Sequence, residues 1–285
     1  MYEFINKGLC REVGLPDYGK QDRGVSPGGA MDNFSFETGN LMLSNPAGEP
    51  ALEMMIAPEI RFLAECRVVL TGGTYDGVWL HTDGREQPVS AVEVFRAPAD
   101  SVLRFGSRQV GFRTYLCCRK AKGDELIGRS RGSWNEIANW RDPDNCLRVM
   151  EGPEYRYLDH PDFFVNAPWK VSNDLSNMGM RLDCLRDMPS VSLENMISGP
   201  VSDGTVQLTP KGPIILLRHR QTVGGYPRIF NVISADIDQL GQFMPGQILR
   251  FKQVDLDEAG MIAARKAAAL NELRKQFAEG PAVIR

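Results

Sequence analysis

The sequence predicts a mostly-β protein of two barrel-like halves with a C-terminal α-helix. Three observations carry this expectation. Short apolar or alternating runs recur along both halves, separated by turn residues drawn from 28 glycines and 18 prolines; such spacing belongs to sandwiches and barrels. A polar segment rich in Gly, Ser, Arg and Asp, Lys120–Asp144, interrupts these runs and reads as a long connection. The chain then closes on an Ala, Lys, Arg and Glu-rich stretch whose apolar residues keep helical spacing. The expected organisation is an N-terminal half over 1–125, a connecting segment over 126–144, and a C-terminal half with the terminal helix over 145–285.

The elements follow in order. "MDNFSFETGNLMLSN" predicts a helix with Asp32 as N-cap and Pro46 beyond its end. Strands are expected at Glu59–Glu65, Arg67–Gly73, Ala91–Ala97, Ser101–Gly106 and Phe112–Cys118, and after the connection at Cys146–Gly152, Thr205–Pro210, Pro213–His219, Arg228–Ser234 and Gln247–Val254. Several alternate apolar and polar residues, as half-buried antiparallel strands do. The last helix runs from about Asp255 to Glu279. Asp255 with Glu258 forms a capping-box pattern, and Ile262, Leu270, Leu273 and Phe277 form its apolar face.

Composition bounds the function. The chain has 285 residues, 42% hydrophobic and 24% charged, with a net charge of −3. That is enough chain for a real core, and no charge excess calls for nucleic acid or an anionic membrane. The first residues lack an apolar leader core, and no run approaches the roughly 18 apolar residues of a membrane span; a cytoplasmic protein is expected. The six cysteines show no CxxC pair and the three histidines, His81, His160 and His219, show no ligand spacing. Reduced thiols and no metal site are expected.

Four stretches carry candidate chemistry. In "RHRQTVGGYPRIFN", His219, Arg220, Gln221 and Thr222 follow an apolar strand and precede Gly224, Gly225, Tyr226 and Pro227. A guanidinium, an amide and a hydroxyl on a tight turn suit a carboxylate, ureido or carboxamide group, or they are the polar residues of a hairpin turn. In "QDRGVSPGGAMD", Gly28 and Gly29 feed a helix N-terminus whose free N–H groups can hold an anion or a carbonyl, or form a plain cap. In "ALEMMIAPEI", Glu53 stands alone in an apolar run, where a carboxylate must meet an arginine or act as an acid or base. In "VSNDLSNMGMRLDC", Asn173, Asp174, Ser176 and Asn177 precede Gly179 and Arg181; they line a cleft or form an Asx-rich turn. Arg220, Gln221, Thr222 and Tyr226 are expected to line a cleft that Gly28, Gly29 and Glu53 also approach. The ATP-binding pattern GxxxxGK[ST] is absent.

Taken together, "GVSPGGAMD", "ALEMMIAP", "GFRTYL", "GRSRGSW", "MGMRL", the block "PIILLRHRQTVGGYPRIFNVISADIDQLGQFMPGQILRF" and the final helix resemble the biotin-dependent carboxyltransferase, or allophanate hydrolase subunit 2, family. That family includes one of the subunits of the bacterial ATP-dependent 5-oxoprolinase, the Kip-type antagonist proteins and a carboxyltransferase segment of urea amidolyase. The resemblance implies two cyclophilin-like β-barrels and a subunit-1-type, kinase-inhibitor-like β-barrel partner. In the 5-oxoprolinase system it also implies a third component that completes ATP-dependent hydrolysis of 5-oxoproline to glutamate. It implies that Arg220–Pro227 is the substrate-side loop; with the residues' own chemistry, Glu53, Arg220 and His219 are the catalytic candidates of the site. Gln221, Thr222, Gly224, Gly225, Tyr226, Gly28, Gly29 and Asn173 are its substrate-binding candidates. No cofactor is expected on this chain itself; ATP or carrier-borne biotin would arrive through partners. The chain departs from the family pattern where "LSNMG" stands for "SDRMG", "RHRQT" for "ADRQT" and "REVGLPDY" for "QDLGRPGY". Ser176, Asn177, His219 and Leu15 thus replace charged groups. Three readings follow: a subunit of an amide hydrolase, a carboxyltransferase component acting on a urea-like acceptor, and a non-catalytic subunit that binds a subunit-1-type partner.

Overall fold

The computed structural model describes residues 1–120, 138, 140–142, 144, 146–188 and 196–278. Strand residues outnumber helical ones 42% to 19%, which places the protein in the expected mostly-β class. The chain divides into two compact units: Met1–Leu15, Asp32–Ala138 and Ala267–Arg285 form the first, Pro16–Met31 and Asn139–Lys266 the second. The expected connection over 126–144 lies mostly outside the described residues. Pro16–Met31 groups with the second unit for visible reasons. Arg218 O accepts from Gly28 N at 3.0 Å, and Tyr18 Oη donates to Asp203 Oδ2 at 2.7 Å.

The first unit holds β1 (Tyr2–Asn6), β2 (Leu9–Val13), α1 (Asn33–Met42), β3 (Ala51–Ile56), β4 (Glu59–Phe62), β5 (Cys66–Tyr75), β6 (Val78–Thr82), β7 (Arg85–Pro88), β8 (Phe95–Ala97), β9 (Val102–Phe105) and β10 (Arg108–Lys120). They form two five-stranded sheets, in the orders β1-β4-β9-β6-β7 and β2-β3-β10-β5-β8. Alternation sorts their side chains. Leu52, Met54, Ile60, Phe62, Val68, Leu70, Leu80, Leu103 and Leu116 turn into one core fed by both sheets. The opposite face of the second sheet meets α1. Asp32 caps that helix as expected, accepting from Ser35 N at 3.0 Å. Thr71 Oγ1 donates to Ser35 O, and Gly39 lies where a Cβ would come within 2.6 Å of Cys117 Sγ. Glycine is thus required for the close approach of α1 to the sheet.

The second unit holds β11 (Cys146–Glu151), α2 (Pro161–Asn166), β12 (Trp169–Leu175), β13 (Gly179–Cys184), β14 (Gly199–Pro200), β15 (Thr205–Thr209), β16 (Gly212–Leu216), β17 (Val223–Gly224), β18 (Arg228–Val232), α3 (Ile237–Leu240) and β19 (Ile248–Gln253). Seven of the strands close into a barrel, β11-β18-β15-β16-β13-β12-β19. A closed ring with an odd number of strands cannot be antiparallel throughout. The parallel pair is β11 with β19, Cys146 opposite Arg250. The interior is filled by Val149, Trp169, Val171, Met180, Leu182, Val206, Ile215, Phe230 and Phe251, all buried. Trp169 stacks on Phe164 with centroids 6.1 Å apart and donates from Nε1 to Phe164 O. The terminal helix α4 (Leu256–Ala278) is present, with Glu258 N donating to Asp255 Oδ1 at 2.8 Å. Ala259, Ile262 and Leu273 are its buried residues, whereas Leu270 and Phe277 are half-buried. No helix of the described residues is long and apolar enough to cross a membrane. All six cysteines are free thiols.

Trp169 joins the barrel wall to α2 and touches rings on three sides, so its removal leaves a cavity the strands cannot fill. Trp169→Ala is expected to cost roughly 3–5 kcal/mol, read from the urea midpoint of the purified chain at constant m-value.

Candidate functional site

Strand register builds a site on the outer face of the barrel. Because side chains alternate, residues neighbouring the core positions Val206, Met180, Leu182 and Ile215 point outward. Gln207 on β15 pairs with Ile214 on β16, which pairs with Arg181 on β13, so these three lie in one row across adjacent strands. Leu216 opposite Gly179 makes the next row. Asp174, beside the irregular register between Val171 and Leu175 on β12, adds a carboxylate at the edge. The segment Gln221–Tyr226 completes the wall. The result is a cavity of about 250 Å³ lined by Asp174, Ser176, Met178, Gly179, Arg181, Gln207, Ile214, Leu216, Gln221 and Tyr226.

The loop over this cavity is held at three places. Pro200 pairs with Val223 and Gly199 with Gly224 in a two-stranded ribbon. The buried Gln207 carboxamide donates to Tyr226 O at 3.1 Å and accepts from Gln221 Nε2 at 3.4 Å. A Cβ on Gly224 would stand 2.4 Å from Gln207 Nε2, so glycine admits that carboxamide. Beyond the loop, Arg228 grips Glu154 with two parallel bonds, Nε to Oε2 at 2.9 Å and Nη2 to Oε1 at 2.7 Å. Hydrogen bonding from Arg228 holds the Glu154 carboxyl below its ordinary range.

The arginines at the base of the loop point inward. Arg218, 6% exposed, donates to Tyr18 Oη at 2.8 Å and to Asp238 Oδ1 at 2.8 Å, and lies 3.4 Å from Asp203 Oδ2. Lys266 Nζ sits 2.5 Å from the other oxygen of Asp238. Arg220, 3% exposed, has Nη1 2.6 Å from Asp203 Oδ1, off the hydrogen-bond direction, so the contact is a charge pair rather than an aligned bond. Its Nε donates to Val201 O. Burial alone would raise the Asp238 carboxyl; Lys266 and Arg218 outweigh it and hold the group well below its ordinary value.

The residues singled out from the sequence fall into different roles. Gln221 and Tyr226 line the cavity, and Gly224 and Gly225 shape the loop, the latter against Ser198. Arg220 is one of the loop's buried supports. Thr222 contributes its carbonyl, accepting from Val201 N. His219 lies beside Gly28, and its Nε2 is 3.3 Å from Gly29 O; since a carbonyl only accepts, the proton of that bond is on Nε2. His219 N donates to Asn177 O at 3.1 Å, so two of the positions that depart from the family pattern are joined. Asn173 is exposed beside Asp174 and outside the cavity wall. Glu53 belongs to the first unit. It stands in a row with Arg11 and Tyr115 across β2, β3 and β10. It is fully buried, accepting from Arg11 Nε at 2.9 Å and from Tyr115 Oη at 2.7 Å, with Arg113 Nε 3.6 Å away. Burial, with Glu53 and Asp32 adding to it, pushes the Tyr115 phenol well above its ordinary value. Gln207 was not singled out from the sequence. Its signal is a carboxamide between the core residues Val206 and Leu208, at an outward position of β15.

Comparison with known proteins now bears on the site. The model of the carboxyltransferase domain, subdomain A and B, matches residues 23–132 and 121–253. The chain belongs to this carboxyltransferase-domain family. Among the relatives of this domain, a 5-oxoprolinase subunit of Haemophilus influenzae is 26% identical over 92% of this chain and 93% of its own length. The protein of the same name from Escherichia coli is 29% identical over 85% and 87%. The solved urea amidolyase of K. lactis shares the fold with a TM-score of 0.78 at 20% identity. The match covers 95% of this carboxyltransferase domain and only 20% of the amidolyase chain.

Two predictions test the supports. Glu53→Ala leaves Arg113 buried without its carboxylate, and is expected to cost roughly 3–5 kcal/mol, measured by chemical denaturation; unchanged stability would mark Glu53 as a dispensable, reactive group. For Asp238, the depressed folded value means that its stabilisation is complete at neutral pH. It is lost as pH falls below the ordinary value of 3.8 toward the lower folded value. The stability gap between wild type and Asp238→Asn should accordingly be constant near neutrality and shrink in acid, in urea titrations run from pH 7 to pH 2.5.

Proposed function

We propose that this chain is one subunit of a multi-component, ATP-dependent amide hydrolase of the 5-oxoprolinase type, and that the outer-face cavity of the second unit receives the cyclic amide. The observation that carries this reading is the donor set of that cavity, on a chain similar over most of its length to two proteins named as 5-oxoprolinase subunits. A cyclic amide presents one carbonyl acceptor and one N–H donor in a plane. The carboxamides of Gln207 and Gln221 offer the complementary pair, and the Tyr226 phenol offers a further donor. Ile214, Leu216 and Met178 supply apolar surface for ring methylenes. Hydrolysis of an unactivated amide requires stabilisation of charge developing on its carbonyl oxygen, which aligned donors provide. ATP would be bound by a partner, as would the group that activates it, since this chain has no phosphate-binding loop pattern.

A second reading, a biotin-dependent carboxyltransferase component acting on a urea-like acceptor, is favoured by the family's carboxyltransferase name. The paired carboxamides also fit a ureido ring, and carrier-borne biotin would supply a transferable carboxyl group there. A third reading, a non-catalytic subunit that binds a subunit-1-type, kinase-inhibitor-like partner, is favoured by the uncharged side chains of Leu15, Ser176 and Asn177 and by His219.

Reconstitution separates them. The chain is mixed with a subunit-1-type protein and the third component of a 5-oxoprolinase, with ATP and 5-oxoproline, and glutamate and ADP are quantified. Glutamate is expected only from the full set. Gln221→Ala should lower kcat/KM about tenfold, the worth of one hydrogen bond of ~1.5 kcal/mol, with assembly unchanged by size-exclusion chromatography. Carboxylation of urea by a biotin-bearing carrier would favour the second reading, and assembly without either activity the third.

A further inference from the structure

We propose that Arg181 is the carboxylate-binding residue of the outer-face cavity, and that Asp174 is an internal anion which the substrate's carboxylate displaces. The proposal rests on the reading above that this cavity takes a small amide, and it narrows the substrate class to amides that also carry a carboxylate.

Among the described residues, Arg181 is the one cation lining the cavity. Its guanidinium is aimed by the barrel: Nη1 donates to Thr209 Oγ1 at 3.2 Å, and that hydroxyl is fixed in turn because it donates to Gly212 O at 2.7 Å. Among the described residues, Thr209 and Asp174 are the only hydrogen-bond partners of this guanidinium. The bond to Asp174 is a single one, Nε to Oδ2 at 3.0 Å. A carboxylate and a guanidinium can instead make two parallel bonds, as Glu154 and Arg228 do.

The two members of the pair differ in exposure. The Asp174 side chain is 74% exposed and that of Arg181 23% exposed. An ion pair with so wet an anion is screened and weak, and Asp174 leaves it at small cost because water solvates the released carboxylate. Arg181, held against the wall, remains. An incoming carboxylate then gains a largely buried, bidentate partner. Gln207 stands in the same row as Arg181 with Ile214 between them. A ligand with a carboxylate at one end and a planar amide at the other, separated by an apolar ring, meets three matching groups in sequence.

Displacement predicts opposite signs for the two charges, which a purely structural ion pair does not. Calorimetric binding is measured for the purified full chain and for the assembled complex. The probes are 5-oxoproline and 2-pyrrolidinone, the same ring without the carboxylate. Arg181→Gln is expected to weaken 5-oxoproline at least tenfold and leave 2-pyrrolidinone unchanged, with partial recovery in Arg181→Lys. Asp174→Asn is expected to tighten 5-oxoproline severalfold, with an unchanged melting temperature because the side chain is exposed. Weaker 5-oxoproline binding in Asp174→Asn, equal affinity of wild type for the two probes, or binding of neither by chain or complex overturns the proposal. Hydrolysis by the complex with KM unaltered in Arg181→Gln sinks the carboxylate assignment and spares the functional reading. Carboxylate binding that depends on Arg181, in a complex without hydrolysis, does the reverse.

Discussion

The second unit depends on the buried charge of Arg218. Two residues after the apolar strand β16 the chain places a guanidinium that is almost fully buried, and such a charge is tolerable only when paired. Asp238, Asp203 and the Tyr18 hydroxyl provide the pairing, and Lys266 completes the neutralisation of Asp238. These partners come from four separate stretches of the chain. Satisfying one side chain therefore ties residues 16–31, the turn before β15, α3 and the middle of α4 to the foot of the candidate loop. Ion pairs of this kind add little net stability over an apolar core, but any misplacement of a partner leaves a bare charge, so they specify one arrangement. The same logic explains why Arg220 beside it also turns inward, toward Asp203 and Val201 O.

Strand alternation does the rest, and it acts twice with different results. In the first unit, the row Arg11, Glu53, Tyr115 crosses three strands on the face that α1 covers. There Glu53 is fully buried and accepts from Arg11 Nε and Tyr115 Oη. In the second unit, the row Gln207, Ile214, Arg181 also crosses three strands, but its cover is a glycine-rich loop that leaves a cavity. There the polar atoms are only partly satisfied by protein, and a ligand can complete them. What separates a support from a site is what lies over the row.

Membership in the carboxyltransferase-domain family agrees with this division of labour. The fold supplies a rigid wall of barrel strands, and the cavity is lined by outward-facing side chains and one loop, apart from the buried core. Ser176 lines the cavity, and Asn177 O accepts from His219 N.

The mostly-β class, the Asp32 and Asp255 caps, the terminal helix and a polar, glycine-bearing stretch at residues 218–228 are legible in the sequence alone. Each of these is written in local signals: alternation, cap residues and turn glycines act over a few positions and survive without knowledge of the rest of the chain. Only the tertiary structure decided which way the arginines of that stretch point. Arg218 and Arg220 are drawn inward by Asp203 and Asp238, whose positions in the sequence carry no mark of that role, and Gln221 and Tyr226 are thereby the residues left facing the cavity. It likewise decided that Gln207 and Arg181 are neighbours, because β15 and β13 meet only through the register of β16 between them. Local propensity is a property of short segments, whereas pairing of charges and strand register are properties of the closed barrel, and so the site's cast could be read only once the barrel had formed.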